Sequence, residues 1–330
     1  MTKNSAIAVI IPFYNGSKYI ERAIISVFKQ TVKASELIVV DDGSKKDEHE
    51  FISALASKYD FKLIHKENGG QGSARNRGVA ESKSKYICFL DQDDFYLPTH
   101  NETLIDGITD DPLLGFVYAD LHEADGNGDI IRLAMVKDHA DHPKTDIFTM
   151  IKQDMFILPS ASLILREAFD DVAGFDEQFT GYEDDDLFLR LVRKGYNNIF
   201  IDRPVTTWCI NMESTSYSIK MSRSRFKYFK KLSNLFPDDA AKSRFFMRDL
   251  LIPRFGHLFV SDYTVALKNG TEIEDINEYR GFIREYMVIL RSRQGISRSY
   301  IFKIFCLLTL PSFMLAIAFR MTSLKRFILD

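Results

Sequence analysis

The chain has 330 residues, with 43 Lys+Arg against 46 Asp+Glu and 45% hydrophobic residues, the composition of a globular protein of one large or two smaller domains. Its three cysteines, Cys88, Cys209 and Cys306, form no C-x-x-C pair and are odd in number. That excludes a disulfide framework and a four-cysteine zinc site and favours a reduced, cytosolic compartment. The net charge of −3 argues against a general nucleic-acid binder, but it hides an asymmetry: residues 1–219 carry 23 basic and 36 acidic side chains, residues 220–330 carry 20 and 10. The acidic part suits a cation, the basic part an anionic surface.

Lys3 before the apolar run Ala6–Ile11 imitates a signal peptide, yet the run is short and ends in Pro12-Phe13-Tyr14-Asn15 without a cleavage site. It reads as a buried strand, Ala6–Phe13. A helix over 17–30 follows, then a strand Glu36–Val40, a helix Asp47–Lys58, a strand Lys62–His65, a helix Ser73–Glu81 behind the loop Asn68-Gly69-Gly70-Gln71-Gly72, and a strand Tyr86–Leu90. Such alternation predicts an α/β fold with a mostly parallel sheet and helices on both faces. In such sheets ligands sit beyond the carboxyl ends of the strands. Those ends read Pro12-Phe13-Tyr14-Asn15, Asp41-Asp42-Gly43-Ser44 and Asp91-Gln92-Asp93-Asp94. From about 113 the pattern changes to a strand Leu114–Ala119, a hairpin within 121–136 turning at Asp125–Gly128, a helix near 146–152, a strand Ser162–Leu165 and a helix Asp184–Lys194 ending at Gly195. Beyond 218 the chain reads as helical and basic. Domains are expected at 1–217 (halves 1–112 and 113–217) and 218–330.

Asp91 and Asp93, two positions apart in a turn, can address one hard cation through oxygen, Mg²⁺ or Mn²⁺. The alternative is a solvated turn with Asp94 as a helix cap. Glu183-Asp184-Asp185-Asp186 opens a helix. Capping and the macrodipole account for one or two of these acids, and the remaining mutual repulsion points to a cation or a general base.

In order along the chain stand Val9–Asn15, Asp41–Ser44, Gly72-Ser73-Ala74-Arg75-Asn76-Arg77-Gly78, Phe89–Asp94, Gly174-Phe175-Asp176-Glu177 and Glu183–Leu187. This set resembles family 2 of the inverting nucleotide-sugar glycosyltransferases, of GT-A fold, over about residues 6–215. The resemblance implies a sugar moved from a nucleoside-diphosphate donor, a UDP-sugar, to a hydroxyl of a glycan or lipid-linked acceptor in surface polysaccharide synthesis. It places Pro12, Tyr14, Asp42, Arg75 and Asp91 at the nucleotide, Asp91 and Asp93 on a divalent cation, and Asp184 as the catalytic base. Glu183, Asp94 and Asn211 are secondary candidates; Asn211 stands where the family often carries a His. A nucleotidyltransferase and a non-catalytic sugar-nucleotide-binding protein are the alternatives.

Asp138-His139-Ala140-Asp141-His142 is set aside as a metal site, because His at i and i+3 in a polar loop is usually solvated. The glycine loop is neither G-x-G-x-x-G nor a P-loop. Residues 220–231 carry six cations and no acid, and Ile304–Phe319 is an uncharged run interrupted by Pro311, shorter than the roughly 20 residues of a spanning helix. A peripheral anchor on the inner face of the cell membrane is expected, against a buried helical pair or homodimer interface.

Overall fold

The computed structural model describes residues 6–210, 219–269 and 271–309. The chain divides into two compact units, Met1–Ile147 with Met155–Tyr217, and Phe148–Asp154 with Ser218–Asp330.

In the first unit β1 (Ile7–Phe13), α1 (Ser17–Phe28), β2 (Glu36–Asp42), α2 (Lys46–Lys58), β3 (Lys62–Lys66), α3 (Gln71–Ala80) and β4 (Tyr86–Phe89) alternate. Every residue of β1 is buried, and β1 pairs in parallel with both β2 and β4. A strand covered on both faces needs an unbroken apolar run, and Ile7–Ile11 supplies it. α3 lies so close to β1 that a Cβ on Gly78 would stand 2.4 Å from Ile10 Cγ2. Glycine there lets the helix seat.

There follow β5 (Phe95–Tyr96), α4 (His100–Asp106), β6 (Leu114–Ala124), β7 (Ile130–Arg132), then α5 (Ile147–Lys152), which beyond Ile147 belongs to the second unit, and, in the first unit again, β8 (Ser162–Leu165), α6 (Arg166–Asp171), α7 (Glu183–Lys194) and β9 (Asn197–Cys209). The sheet runs β3-β2-β1-β4-β8-β6-β9-β5, with β7 on β6. It is parallel through β3-β2-β1-β4 and mixed beyond, where β8 lies antiparallel to β4 and β6 while β6 and β9 are parallel.

The expected strand at 114–119 and the hairpin arm after it are one strand. Buried Asp120 bridges the irregularity between them, accepting from the N–H groups of Leu121 (2.7 Å) and Val136 (2.8 Å). The hairpin turns at Asp125–Gly128, where Gly128 N–H reaches Asp125 O at 2.9 Å. β9, α4 and α6 were not among the expected elements. β9 contains Pro204, which breaks a strand pattern. It is accommodated opposite Asp120, where Asp202 and Arg203 loop out of register into solvent. α7 stops at Gly195 with φ 106°, as its sequence predicts.

The second unit holds α8 (Ile219–Leu235), a π-helical stretch Met247–Gly256, α9 (His257–Asn269), α10 (Ile273–Arg291) and α11 (Arg298–Thr309). Pro253 lies inside the π-helical stretch, as fits a residue with no N–H to donate. Phe229 anchors an aromatic core, edge-on to Phe259 (5.3 Å) and Tyr286 (5.4 Å). The cations of α8 are partly answered within the unit: Arg223 pairs with Glu278 (2.5 Å), Arg225 with Asp262, and Lys230 with Glu285 (3.0 Å). Ile304, Leu307 and Leu308 of α11 are buried, whereas Phe302 and Phe305 are exposed. Among the described residues no helix is long and apolar enough to cross a membrane. Asn211 and positions 310–319 of the apolar run lie outside the described residues.

Candidate active site

The loops that follow β1, β2 and β4 are stitched together by their own polar groups. Gln92, the middle residue between Asp91 and Asp93, accepts from Tyr14 N–H at 2.9 Å and donates to Tyr14 O at 3.2 Å. Asn15 N–H donates to Ser44 Oγ (3.1 Å), and Lys45 N–H donates to Asn15 Oδ1 (2.9 Å). Tyr14 itself, beyond buried Pro12, leaves its side chain exposed.

Asp42 is turned into the glycine loop. Its two oxygens accept from Gly69 N–H (2.9 Å), Gly70 N–H (2.8 Å) and Lys66 Nζ (2.7 Å), so only 4% of the residue is exposed. The resemblance puts this carboxylate at the nucleotide; in the structure it holds the loop that α3 begins from. Arg75 is likewise an internal group. Its guanidinium is 2.5 Å from Asp91 Oδ1 and 3.3 Å from Glu183 Oε1, over the ring of Phe175. Burial alone would lower its pKa, but the charges of Asp91 and Glu183 outweigh burial and raise it. Burial pushes the Glu183 carboxyl up, and Arg75, nearer to Asp91, offsets this only in part.

The acids beyond β4 have three fates. Asp91 stays partly exposed, with Oδ1 accepting from Arg75 and from Gln71 Nε2 (2.6 Å). Burial and then the Asp91 charge push the Asp93 carboxyl up to about 6. Asp94 is buried, accepting from Cys209 N–H (2.9 Å) and Ser160 Oγ (3.2 Å), and burial together with Asp93 lifts its pKa well above the carboxylate range. It caps no helix; β5 follows it.

The acids of α7 fan around the helix start. Glu183 meets Arg75. Asp186 meets Arg190 Nε at 2.7 Å, and Arg190 also donates to the carbonyls of Val172 and Gly174. Asp184 is half-buried, its Oδ1 2.8 Å from Asp185 N. Two internal arginines thus relieve the repulsion that four consecutive acids would otherwise create. The Gly174–Glu177 motif serves the same assembly, because Asn76 clasps Phe175, accepting its N–H (2.8 Å) and donating to its carbonyl (2.9 Å). Gln71, Asn76 and Gln92 are thus structural members that residue type alone did not single out. Among the set-aside residues, His142 bonds Tyr118 OH (2.7 Å) and His139 stacks on Phe156.

The ends of β1, β2 and β4 and the first turn of α7 therefore surround one acidic edge, with Arg75 linking β4 to α7. A family model described as glycosyl transferase family 2 matches residues 8–173. The chain belongs to that family. This family 2 glycosyltransferase is 28% identical to an uncharacterized glycosyltransferase of Rickettsia prowazekii (strain Madrid E) over 289 residues, 86% of this chain and 83% of the relative. It is 32% identical over 209 residues to an uncharacterized glycosyltransferase of Rickettsia bellii (strain RML369-C), covering 60% of this chain but only 28% of that longer protein. Among solved structures, Staphylococcus aureus TarS 1-349 in complex with UDP superposes with a TM-score of 0.63 at 16% identity, over 95% of this chain and 91% of that one. A mannosyltransferase of Pyrobaculum calidifontis in complex with GDP-Man and Mn²⁺ gives 0.56 at 14% identity, over 98% and 84%. At these identities the likeness concerns the GT-A fold of the transferase.

Proposed function

We propose that this glycosyltransferase moves a sugar, with inversion, from a UDP-sugar donor to a hydroxyl of a glycan or lipid-linked acceptor in surface polysaccharide synthesis. The observation that carries the reading is the buried Arg75, which touches both Asp91 at the end of β4 and Glu183 at the start of α7. It sets a cation-binding strand end beside the helix turn that presents Asp184. The solved relatives in complex with UDP, UDP-GlcNAc, and GDP-Man with Mn²⁺ support a nucleotide-sugar donor.

Asp91 and Asp93 form an all-oxygen set fitted to Mg²⁺ or Mn²⁺, and the raised Asp93 carboxyl marks a pair short of positive charge. A bound divalent ion would neutralise charge developing on the departing diphosphate. Asp184, at a helix N-terminus that favours its charged form, takes the proton from the acceptor hydroxyl as that oxygen bonds to the anomeric carbon. The bond from the anomeric carbon to the diphosphate oxygen breaks, and the nucleoside diphosphate leaves. Tyr14 offers an exposed ring for the base, beside Pro12, and the loop held by Asp42 carries Gly69 and Gly70 beneath the nucleotide. The +10 balance of residues 220–330 and exposed Phe302 and Phe305 support attachment to an anionic membrane surface.

Product analysis tests the reaction. Incubation with UDP-sugars and Mn²⁺ should release UDP; release of pyrophosphate in a parallel incubation with a nucleoside triphosphate and a sugar 1-phosphate would make the enzyme a nucleotidyltransferase, and neither product with any substrate would leave only a binding protein.

A further inference from the structure

The histidines near the end of β2 have no part in the transfer chemistry. His49 of α2 and His65 of β3 both direct Nδ1 at one oxygen of Asp41, at 2.6 and 2.9 Å, while the other Asp41 oxygen accepts from Ser44 N–H at 3.0 Å. The carboxylate is fully buried, and the imidazoles are 40% and 54% exposed. Among the described residues this is the one group of three or more His, Cys, Asp or Glu whose ligand atoms converge, all within 4.8 Å of one another. We propose that Asp41, His49 and His65 form a binding site for a transition-metal ion of the Zn²⁺ class, separate from the oxygen-lined Asp91 and Asp93.

Two imidazole nitrogens and one carboxylate oxygen select Zn²⁺-type ions over Mg²⁺ or Mn²⁺, which prefer oxygen. Three protein ligands leave the fourth tetrahedral position to water, the pattern of an open site. Zinc bonds of about 2.0–2.1 Å place neighbouring ligand atoms roughly 3.3 Å apart. The two N···O separations, 2.6 and 2.9 Å, are shorter and all three ligand atoms lie within 4.8 Å of one another, so each ring must withdraw from Asp41 by less than about 1 Å, which half-exposed rings on a helix and an edge strand allow. Each Nδ1–H now donating to Asp41 transfers its proton to Nε2 through water as the ion binds. The imidazoles stay neutral, and two N–H···O bonds give way to three metal–ligand bonds.

The register gives the site a consequence. Asp41 pairs with His65 and Asp42 with Lys66 across β2 and β3, and successive residues point to opposite faces of a sheet. The ion would brace one face of the strand pair whose other face holds Gly69 and Gly70 through Asp42 and Lys66.

Calorimetric titration of ZnCl₂ into the metal-free full-length protein, in excess Mg²⁺, decides the matter. One Zn²⁺ per chain is expected, at least tenfold weaker in His49→Gln and in His65→Gln and unchanged in Asp93→Ala. Co²⁺ should give visible absorption bands that vanish in both histidine variants, each checked by circular dichroism for its fold. Should a glutamine variant not fold, His49→Ala takes its place, and the comparison of wild type with Asp93→Ala still discriminates. Equal zinc binding by wild type and the histidine variants, or binding lost in Asp93→Ala, would overturn the proposal.

Discussion

The two acidic clusters of the first unit differ in where their counter-charge comes from. At the start of α7, Glu183 and Asp186 each meet an arginine of the protein, Arg75 and Arg190. At the end of β4 only Asp91 touches Arg75, and burial and mutual repulsion lift the carboxyls of Asp93 and Asp94. One cluster is neutralised from within; the other keeps carboxyls held up by burial and repulsion, as the proposed cation site requires. Two short runs of acids can therefore serve opposite ends, and the neighbouring cations decide which.

The comparison breaks first at Asp184. Asp184→Asn keeps the shape and the helix start but removes the base, so kcat should fall by about 10²–10⁴-fold with donor affinity nearly intact. A variant retaining more than a tenth of wild-type kcat in a UDP-release assay would remove Asp184 from that role. Next comes Arg75, shared by the two clusters. Arg75→Met leaves buried Glu183 without its arginine and partly exposed Asp91 with Gln71 alone, and losing one member of a buried pair costs about 3–5 kcal/mol. Urea unfolding should show it, and Arg75→Lys should rescue little, because an ammonium cannot fork to both acids. A destabilisation below about 1 kcal/mol would mean that solvent, not Arg75, solvates those acids.

Asp93→Ala should abolish metal-dependent donor binding in calorimetry, with donor affinity lowered at least about tenfold. Asp93 also makes a prediction about pH. Its folded carboxyl sits at about 6 against an ordinary 3.8, so its contribution favours the folded state below about pH 4 and is lost as pH rises through about 6. In metal-free buffer Asp93→Asn should thus melt a few degrees higher than wild type at pH 7, since 1 kcal/mol is worth about 2–4 °C at this size. At pH 4 the two should coincide, and a constant difference across the range would contradict the assignment. The smallest effect belongs to Asp94, whose carboxyl burial and Asp93 already raise. Asp94→Asn can still accept from Cys209 N–H, so melting and kcat should stay close to wild type, within about 1 kcal/mol.

The parallel strands, the hairpin at Asp125–Gly128 and the stop of α7 at Gly195 were legible because each rests on local rules: unbroken apolar runs, turn residues, a left-handed C′ glycine. β9 was not, since Pro204, Asp202 and Arg203 interrupt its pattern and only pairing with β6 accommodates them. At the site, the ordered motifs pointed to loops that the fold brings to one edge of the sheet, while the partners of single side chains lay beyond reach. Nothing in the sequence around Arg75 says that its guanidinium meets residue 183, 108 positions away. His49 and His65 likewise stand in unrelated segments and meet only because β2, α2 and β3 fold side by side.

The clasp between Gln92 and Tyr14 reaches into how this enzyme can be altered. A side chain on Gly16 would place its Cβ 2.3 Å from Gln92 Oε1, so the turn leaving β1 and the residue between two aspartates are cut to each other's outline. Grafting a foreign loop after β1 therefore calls for its matching residue at position 92. Either exchange alone should jam or loosen the seam, whereas the two introduced together can travel between scaffolds as one replaceable part.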